Sequence, residues 1–310
     1  MLDPNAAAIL KLIEEKGVPP MHAEPPPLAR VSYRNRRFFA QSEPPTVSLI
    51  HDKRIQGPGG DLGIRIYRGT PGDDLRGALV FFHGGGWVIG DLESHDDVCR
   101  KLASQARCDV IAVDYRLAPE HPAPAAVDDC IAATKWIIAN AKSLGIDPTR
   151  VAIGGDSAGG NLSAIVAMHS GEKPVFQLLV YPATDMRMGQ QSHKDNAQGY
   201  LLTADSMKWF IGHYLQGDEK KKLDPRVSPI LSSDADLKKS PPTLVITAEF
   251  DPLRDEGEEY AAKLASLGVP TSTVRFHGQI HAFFGMSELL DDAAAAISLS
   301  ASYLRKYLGT

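Results

Sequence analysis

The chain has 310 residues, a formal net charge of −5 at pH 7, 43% hydrophobic residues and 23% charged residues. This composition is that of an ordinary globular protein and excludes a disordered, collagen-like or coiled-coil chain. The acidic balance gives no support for nucleic-acid binding, and no apolar run approaches the roughly 18 residues of a membrane helix. We therefore expect neither a nucleic-acid partner nor a membrane-embedded protein.

The first predicted element is an amphipathic helix that begins after Asp3 and ends near Gly17. Asp3 can cap the helix, Pro4 suits its first position, and Gly17 can end it. A proline-rich stretch over residues 19–27 follows. We interpret it as a stiff connector rather than as a polyproline ligand.

Further along, the pattern is that of strands and helices in alternation. Two strands, over residues 48–55 and 62–68, flank a Gly-Pro-Gly-Gly turn and predict a hairpin. Short continuous apolar runs then alternate with helical patterns, which is typical of a mostly parallel sheet with helices on both sides. The apolar runs are 78–82, 110–113, 151–154, 176–181, 244–248 and 271–276, and the helical stretches lie around 97–106, 125–140, 161–169, 257–267 and 287–307.

One segment, between Met186 and Leu223, interrupts this alternation. Thr203 can cap a helix in which Met207 and Phe210 share a face. We interpret the segment as an insertion over the carboxyl ends of the strands, where a lid would lie, because α/β folds bind ligands there.

The sequence GDSAG at residues 155–159 is the sharpest chemical signal. It follows an apolar run and opens a helical stretch, which is the strand–turn–helix context of a nucleophile elbow. Such a turn exposes the Ser157 hydroxyl and directs the N–H of Ala158 at the same point. The sequence thus predicts a serine nucleophile.

A second signal, HGGGW at residues 83–87, ends the predicted strand 78–82. Acyl transfer needs N–H donors where negative charge develops on the carbonyl oxygen. Gly84 and Gly85, together with Ala158, can supply them. A phosphate loop is disfavoured because no Gly-Lys-Ser/Thr or G-x-G-x-x-G pattern follows.

The serine needs a base and an orienting carboxylate, in the chain order Ser, Asp or Glu, His. We prefer His281, in a loop before the last helix, over His277 at the strand end. For the acid we prefer Asp251, which follows the run 244–248, with Asp185 as the rival.

Three cysteines, Cys99, Cys108 and Cys130, are too few for a disulfide scaffold and have no metal-ligand spacing. The N-terminus lacks the pattern of a signal peptide. We expect reduced, buried thiols, a cytoplasmic location and no metal.

Together these blocks resemble the bacterial hormone-sensitive lipase family (family IV) of carboxylesterases within the α/β-hydrolase fold. HGGGW with Gly90 resembles the family's oxyanion signature, YRLAPEHP at 115–122 its second block, GGDSAGG at 154–160 its elbow, and DPLRDE at 251–256 its acid block. The blocks span most of residues 78–285. One departure is Ala282, where the family usually has glycine after the catalytic histidine.

The resemblance implies a triad of Ser157, Asp251 and His281, an oxyanion hole from Gly84, Gly85 and Ala158, and no cofactor. It also implies a mostly parallel eight-stranded sheet flanked by helices, with a helical cap. We expect the N-terminal cap part at 1–47, the cap insertion at 188–223, and the catalytic core at 48–187 and 224–310.

The expected function is that of a serine carboxylesterase that hydrolyses short-to-medium acyl esters, small molecules, through an acyl-enzyme. An amidase or deacetylase on the same site stays open, and a non-catalytic receptor is disfavoured because His281 is present. The resemblance also suggests a homodimer through the sheet edge at 271–276. The expected pocket walls are Trp87, Met207, Trp209, Phe210 and Phe283.

Overall fold

The computed structural model describes residues 1–40, 44–72 and 74–310, with the side chains of 37–40 also outside the description. Within these residues, eight strands form a single sheet. Each predicted strand is present, and several are longer than their apolar runs. The strands are β1 (Leu49–Gly57), β2 (Gly60–Arg68), β3 (Arg76–Phe82), β4 (Asp109–Asp114), β5 (Ile146–Asp156), β6 (Gln177–Val180), β7 (Thr243–Phe250) and β8 (Thr271–Ile280).

The strand order is β1-β2-β4-β3-β5-β6-β7-β8. The hairpin pair β1–β2 and the pair β2–β4 are antiparallel, and the other neighbours are parallel. Gly57 pairs with Gly60, so two residues make the hairpin turn, as the glycine-rich sequence predicts. This is the α/β-hydrolase architecture expected from the sequence.

Helices supply the crossovers that parallel strands require. The helices α3 and α10 pack on one face of the sheet, and α4 and α5 pack on the other. In the described residues the helices are α1 (Pro4–Glu15), α2 (Pro26–Ala40), α3 (Asp96–Ala106), α4 (Ala125–Ala139), α5 (Ala158–His169), α6 (Ser192–Asp195), α7 (Ala204–Leu215), α8 (Asp234–Leu237), α9 (Arg254–Ser266) and α10 (Asp291–Leu308). None of the described helices combines the length and the apolar composition that a membrane span requires.

Strand β3 shows why the central strands are continuous apolar runs. Its side chains alternate between two hydrophobic cores, with Val80 and Phe82 in one and Leu79 and Phe81 in the other. All seven of its residues are buried. A strand covered by helices on both faces has no polar side.

Two segments lie at the carboxyl ends of these strands. In the N-terminal segment, the Asp3 carboxylate caps α1 by accepting from two backbone N–H groups at 2.9 and 3.0 Å. In the insertion, the Thr203 hydroxyl caps α7 by accepting from Ser206 N–H. Both caps confirm the sequence prediction. A hydrogen bond of 2.9 Å between His22 Nδ1 and Ser206 Oγ joins the two segments.

Candidate active site

Ser157 occupies a tight turn between the end of β5 and the start of α5. Its φ and ψ are 54° and −116°, a strained backbone for any residue with a side chain. The turn fits because its flanks are glycines: a Cβ at Gly159 would overlap the Phe82 carbonyl, and one at Gly155 would overlap the Gly159 backbone. The predicted elbow is present, and it projects the hydroxyl above the sheet.

Two loops bring a histidine and a carboxylate to this hydroxyl. His281 directly follows β8 and Asp251 directly follows β7. His281 Nε2 is 3.0 Å from Ser157 Oγ, and His281 Nδ1 is 2.7 Å from Asp251 Oδ2. The carboxylate can only accept, so Nδ1 carries the proton and Nε2 can accept from the serine. All three side chains form one hydrogen-bonded chain.

The rival residues are engaged elsewhere. Asp185 accepts from the Arg187 guanidinium at 2.7 Å and from Gln190 at 3.0 Å. The side chain of His277 is 78% exposed and lies 3.5 Å from Glu249. The geometry therefore favours Asp251 and His281 over these two alternatives.

The glycine loop after β3 lies beside the elbow, but Gly84 does not serve as we expected. Its N–H donates to Asp156 Oδ1 at 2.9 Å. Gly85 and Gly86 line the cavity above the serine, as does Ala158. Among the described contacts, the N–H groups of these three residues have no protein acceptor. The expectation for Gly84 is thus corrected, and Gly86 takes its place as a candidate donor.

Buried polar groups hold the glycine loop. His83 Nδ1 is 2.8 Å from the Gly84 carbonyl, and the Tyr115 hydroxyl donates to the His83 carbonyl at 2.7 Å. Burial lowers the pKa of His83 to about 4, so its imidazole is neutral at pH 7. Burial also acts to raise the pKa of Asp156, but His95 and the Gly84 N–H outweigh it and hold that pKa below its ordinary value.

A cavity of about 1080 Å³ contains the Ser157 hydroxyl. Of the expected walls, Trp87, Met207 and Phe210 line it. A Cβ at Gly86 would overlap the Phe210 ring, so α7 packs directly on the glycine loop. The insertion therefore covers the site, and its cavity is mostly apolar.

The other two expected walls, Trp209 and Phe283, do not line the cavity. Trp209 lies on another face of α7 and packs against the ring of His213 at 4.7 Å between centroids. Phe283 is fully buried in the core, with Tyr181 and Phe276 as ring neighbours. The next residue, Phe284, lines the cavity instead. Both phenylalanines lie in the short helical turn Phe283–Gly285 that follows His281.

Sequence reasoning also missed several cavity residues. Asp156 and His95 line the cavity, and so does much of α1, including Ile9, Leu10 and Ile13. A charged residue inside an otherwise small and apolar elbow is a signal that could have identified Asp156. Nothing local in the sequence of α1 indicates that it reaches the serine.

A sequence profile of the alpha/beta hydrolase fold matches residues 79–285. Carboxylic ester hydrolase LipN of Mycobacterium tuberculosis is 39% identical over 99% of this chain and 83% of its own length. Ethyl acetate hydrolase of Pseudomonas putida is 37% identical over 99% of both chains. In structure, a hyperthermophilic esterase of the archaeon Pyrobaculum calidifontis is similar, with a TM-score of 0.93, 38% identity and 98% coverage of both chains.

An ester-hydrolase from the metagenome of Lake Arreo, solved with a bipyridine phosphonate derivative, has a TM-score of 0.95 and 39% identity, with 100% coverage of both chains. The chain belongs to the alpha/beta hydrolase fold family, in its hormone-sensitive lipase branch.

Proposed function

We propose that the chain is a serine carboxylesterase in which Ser157 is the nucleophile, His281 the general base and acid, and Asp251 the orienting carboxylate. That the chain is a carboxylic ester hydrolase follows from its relatives. The observation that carries the mechanism is the hydrogen-bonded chain of 3.0 and 2.7 Å that ends at a serine in the cavity. No step calls on a metal or an organic cofactor.

In the acylation step, His281 Nε2 takes the Ser157 proton as Oγ attacks the ester carbonyl carbon. Asp251 accepts from Nδ1 and stabilises the imidazolium that forms. The tetrahedral intermediate then collapses, the C–O bond to the alcohol breaks, and the imidazolium gives its proton to the leaving alkoxide. The product of this step is an acyl ester on Ser157.

The negative charge that develops on the carbonyl oxygen needs donors that are already in place. We assign them as the N–H groups of Gly85, Gly86 and Ala158, because these line the cavity beside Ser157 and have no described protein acceptor. In deacylation, His281 takes a proton from water, the hydroxide attacks the acyl carbon, and Ser157 leaves with the proton returned to it.

The cap we propose has two parts, residues 1–47, of which 41–43 lie outside the described residues, and residues 188–223. The core comprises 48–187 and 224–310. Support comes from the hydrogen bond between His22 and Ser206 and from the cavity, which lies between both cap parts and the strand ends.

The covered, mostly apolar cavity supports small esters with short-to-medium acyl chains as substrates. One relative is named for the hydrolysis of ethyl acetate.

Purified protein tests this proposal through hydrolysis of p-nitrophenyl butyrate, with Ser157→Ala prepared in parallel. Wild-type turnover should exceed roughly 1 s⁻¹, and the variant should lose about 10⁴-fold or more. Ser298→Ala, an exposed serine on α10, should behave as wild type. Equal turnover by Ser157→Ala and wild type would contradict the mechanism. A parallel anilide panel distinguishes an amidase, which would favour amides over esters.

We also propose a homodimer through the edge strand β8. Its residues alternate between half-buried and exposed at 272–277, and among the described strands it pairs with β7. Such an edge can pair with a second copy. Light scattering at micromolar concentration should give twice the mass of one chain, and the mass of a single chain would contradict the proposal.

A cytoplasmic location is the last part of the proposal. Cys99, Cys108 and Cys130 are all buried and free. Burial raises the pKa of each thiol, which disfavours the reactive thiolate. Unpaired thiols are typical of proteins from reducing compartments.

A further inference from the structure

Asp156 connects the two halves of the site. It precedes Ser157 in the elbow, and its buried Oδ1 accepts the Gly84 N–H at 2.9 Å from the glycine loop. His95 Nε2, itself buried, lies 3.2 Å from Oδ1 and 3.4 Å from Oδ2 of the same carboxylate. One side chain therefore links the nucleophile's turn to the loop that carries the proposed oxyanion donors.

The Asp156 carboxylate lies so close to Gly84 that a side chain at position 84 has no room. A Cβ on Gly84 would overlap the Asp156 carboxylate. His95 is fixed in turn, because its Nδ1 lies 2.9 Å from the Ser94 hydroxyl. The carboxylate thus has a defined position between the loop and the imidazole.

The Gly84 residue is held from both sides. Asp156 accepts from its N–H, while His83 Nδ1 contacts its carbonyl oxygen at 2.8 Å. The Gly84 carbonyl and the Gly85 N–H belong to the same planar, trans peptide, so they point in opposite directions. Fixing the carbonyl toward His83 therefore also fixes the direction of the Gly85 N–H, and Gly85 is one of the residues that line the cavity.

Further along the loop, the Gly85 carbonyl accepts from the N–H groups of Val88 and Ile89 at 3.1 and 2.9 Å. The preceding peptide, which carries the Gly85 N–H, depends on the contacts at Gly84. Three consecutive glycines have no side chains to pack, and glycine occupies positive and negative φ with similar ease. Gly85 and Gly86 both have positive φ, 123° and 57°. A peptide flip in this loop would turn a donor away from the carbonyl oxygen and put an acceptor in its place.

We propose that Asp156, held by His95, is a positioning residue that fixes the Gly85 oxyanion donor of the glycine loop relative to Ser157. The proposal rests on the serine esterase mechanism above. Asp156 does not take part in proton transfer; it acts through Gly84. Its loss should weaken binding of the transition state and leave binding of the substrate nearly unchanged.

Two substitutions at the same position test this. Asp156→Ala removes the acceptor and should lower kcat for p-nitrophenyl butyrate about 10²-fold, as loss of one oxyanion donor does, with KM within threefold. Asp156→Asn keeps an oxygen that can accept from Gly84 and should stay within about tenfold of wild type. Recovery of kcat in Asp156→Asn would show that the hydrogen bond from Gly84, rather than the negative charge of Asp156, positions the loop.

Inhibitor binding separates positioning from general structural damage. A trifluoromethyl ketone adds to Ser157 and forms an oxyanion, whereas the matching methyl ketone binds mainly as a neutral ligand. In Asp156→Ala, the affinity for the trifluoromethyl ketone should fall in parallel with kcat, and the affinity for the methyl ketone should change less than threefold. Equal losses for both ketones, or a raised KM with unchanged kcat, would overturn the proposal.

Gly84→Ala provides a second route should Asp156→Ala fail to fold. Its methyl group would displace the carboxylate, so it should reproduce the kcat loss, and the double variant should be no worse than Asp156→Ala. Additive losses in the double variant would contradict the link.

Asp109→Asn serves as a stability control. This carboxylate is buried at the amino end of β4, where it pairs with Arg68 and Arg76, far from Ser157. It should lower stability without moving kcat. Failure of the underlying mechanism is recognised separately, because Ser157→Ala would then retain activity whatever Asp156 does.

Discussion

At the scale of the residue, backbone strain concentrates around the cavity. Trp87, Ser157, Tyr181 and Ala282 all have positive φ without being glycine, and all four line the cavity. Such conformations cost about 1–3 kcal/mol each and persist where the surrounding structure fixes them. The cost falls on residues that shape the site, which is consistent with selection for geometry over stability there.

Ala282 gives a direct test, because its φ of 68° is one that glycine adopts freely. Ala282→Gly should raise the free energy of unfolding by about 0.5–1 kcal/mol, since relief of strain exceeds the added freedom of the unfolded chain. Urea denaturation measures this.

Ala294→Gly is the matched control, at an exposed helical position of α10. There the same change should lower stability by about 1 kcal/mol. Destabilisation at both positions would show that Ala282 is not strained.

The acid assignment gives a second residue-scale prediction. Asp251→Asn should lower kcat about 10⁴-fold, because the amide no longer holds His281 in the required tautomer. Asp185→Asn, whose carboxylate pairs with Arg187, should stay within threefold of wild type. Measurement of kcat on p-nitrophenyl butyrate tests this. An unchanged kcat in Asp251→Asn together with loss of activity in Asp185→Asn would make Asp185 the orienting carboxylate.

Buried His83 adds a pH dependence. Its pKa is lowered from 6.5 to about 4, so between these values the unfolded chain takes up a proton that the folded chain does not. The contribution of His83 to the free energy of unfolding is therefore fully present above pH 6.5. It decreases by up to about 3 kcal/mol as pH falls toward 4.

Urea denaturation of wild type and His83→Asn at pH 7 and pH 4.5 measures the contribution of His83. The difference in stability between the two pH values should be smaller in the variant. The lowered pKa of Asp156 places its own effect at more acidic pH, outside this window. An unchanged difference would show that His83 does not titrate as its burial implies.

At the scale of the element, helix α1 shows how a distant segment becomes part of the site. Asp3 caps the helix, and its backbone N–H donates to the Gly278 carbonyl near the end of β8 at 3.0 Å. This anchor lies three residues before His281. The helix then runs across the strand ends, with Ile13 lining the cavity.

Filling the α1 side of the cavity should separate substrates by size. Ile13→Trp should raise KM for p-nitrophenyl octanoate about tenfold, the scale on which hydrophobic pockets discriminate, and change KM for the butyrate little. Ala8→Trp, at an exposed position of the same helix that does not line the cavity, is the control. A uniform loss on both esters would mean that this wall does not contact the longer chain.

At the scale of the whole molecule, a buried hydrogen bond joins the insertion and the core. His193 Nε2 lies 2.7 Å from Glu256 Oε2, and Glu256 Oε1 accepts from the backbone of Thr184 and Asp185. The insertion also reaches the acid loop, because Asn196 donates to the Asp251 carbonyl at 3.1 Å. The insertion that covers the site is thus connected by hydrogen bonds to the loop that carries Asp251.

Breaking this hydrogen bond should loosen the insertion. His193→Ala leaves Oε2 of the fully buried Glu256 without its hydrogen-bond partner, and an unpaired buried polar group costs about 3 kcal/mol. Urea denaturation should report the loss, and hydrogen exchange should accelerate over residues 186–201 before the central strands. Lys208→Ala, which removes an exposed pair on α7, should change stability by less than about 0.5 kcal/mol. Unchanged exchange in His193→Ala would contradict this coupling.

The sequence by itself determined the sheet, the elbow and the candidate triad. Strands buried on both faces must be continuous apolar runs, and a serine on a tight turn must be flanked by glycines. Both constraints are local, so the sequence shows them directly. The structure brings Ser157, His281 and Asp251 together, as their chain order and their positions after the predicted strands indicate.

Tertiary structure alone decided which groups around these three face the cavity. Gly84 was expected to donate to substrate, but its N–H meets the Asp156 carboxylate, 72 residues away. Trp209 and Phe283 were expected as walls but do not line the cavity, whereas Phe210, which was also expected, and Phe284, which was not, do line it. Which of two adjacent side chains faces the cavity, and which distant carboxylate accepts from a loop N–H, leave no pattern in the local sequence. Both depend on how the loops pack against the sheet.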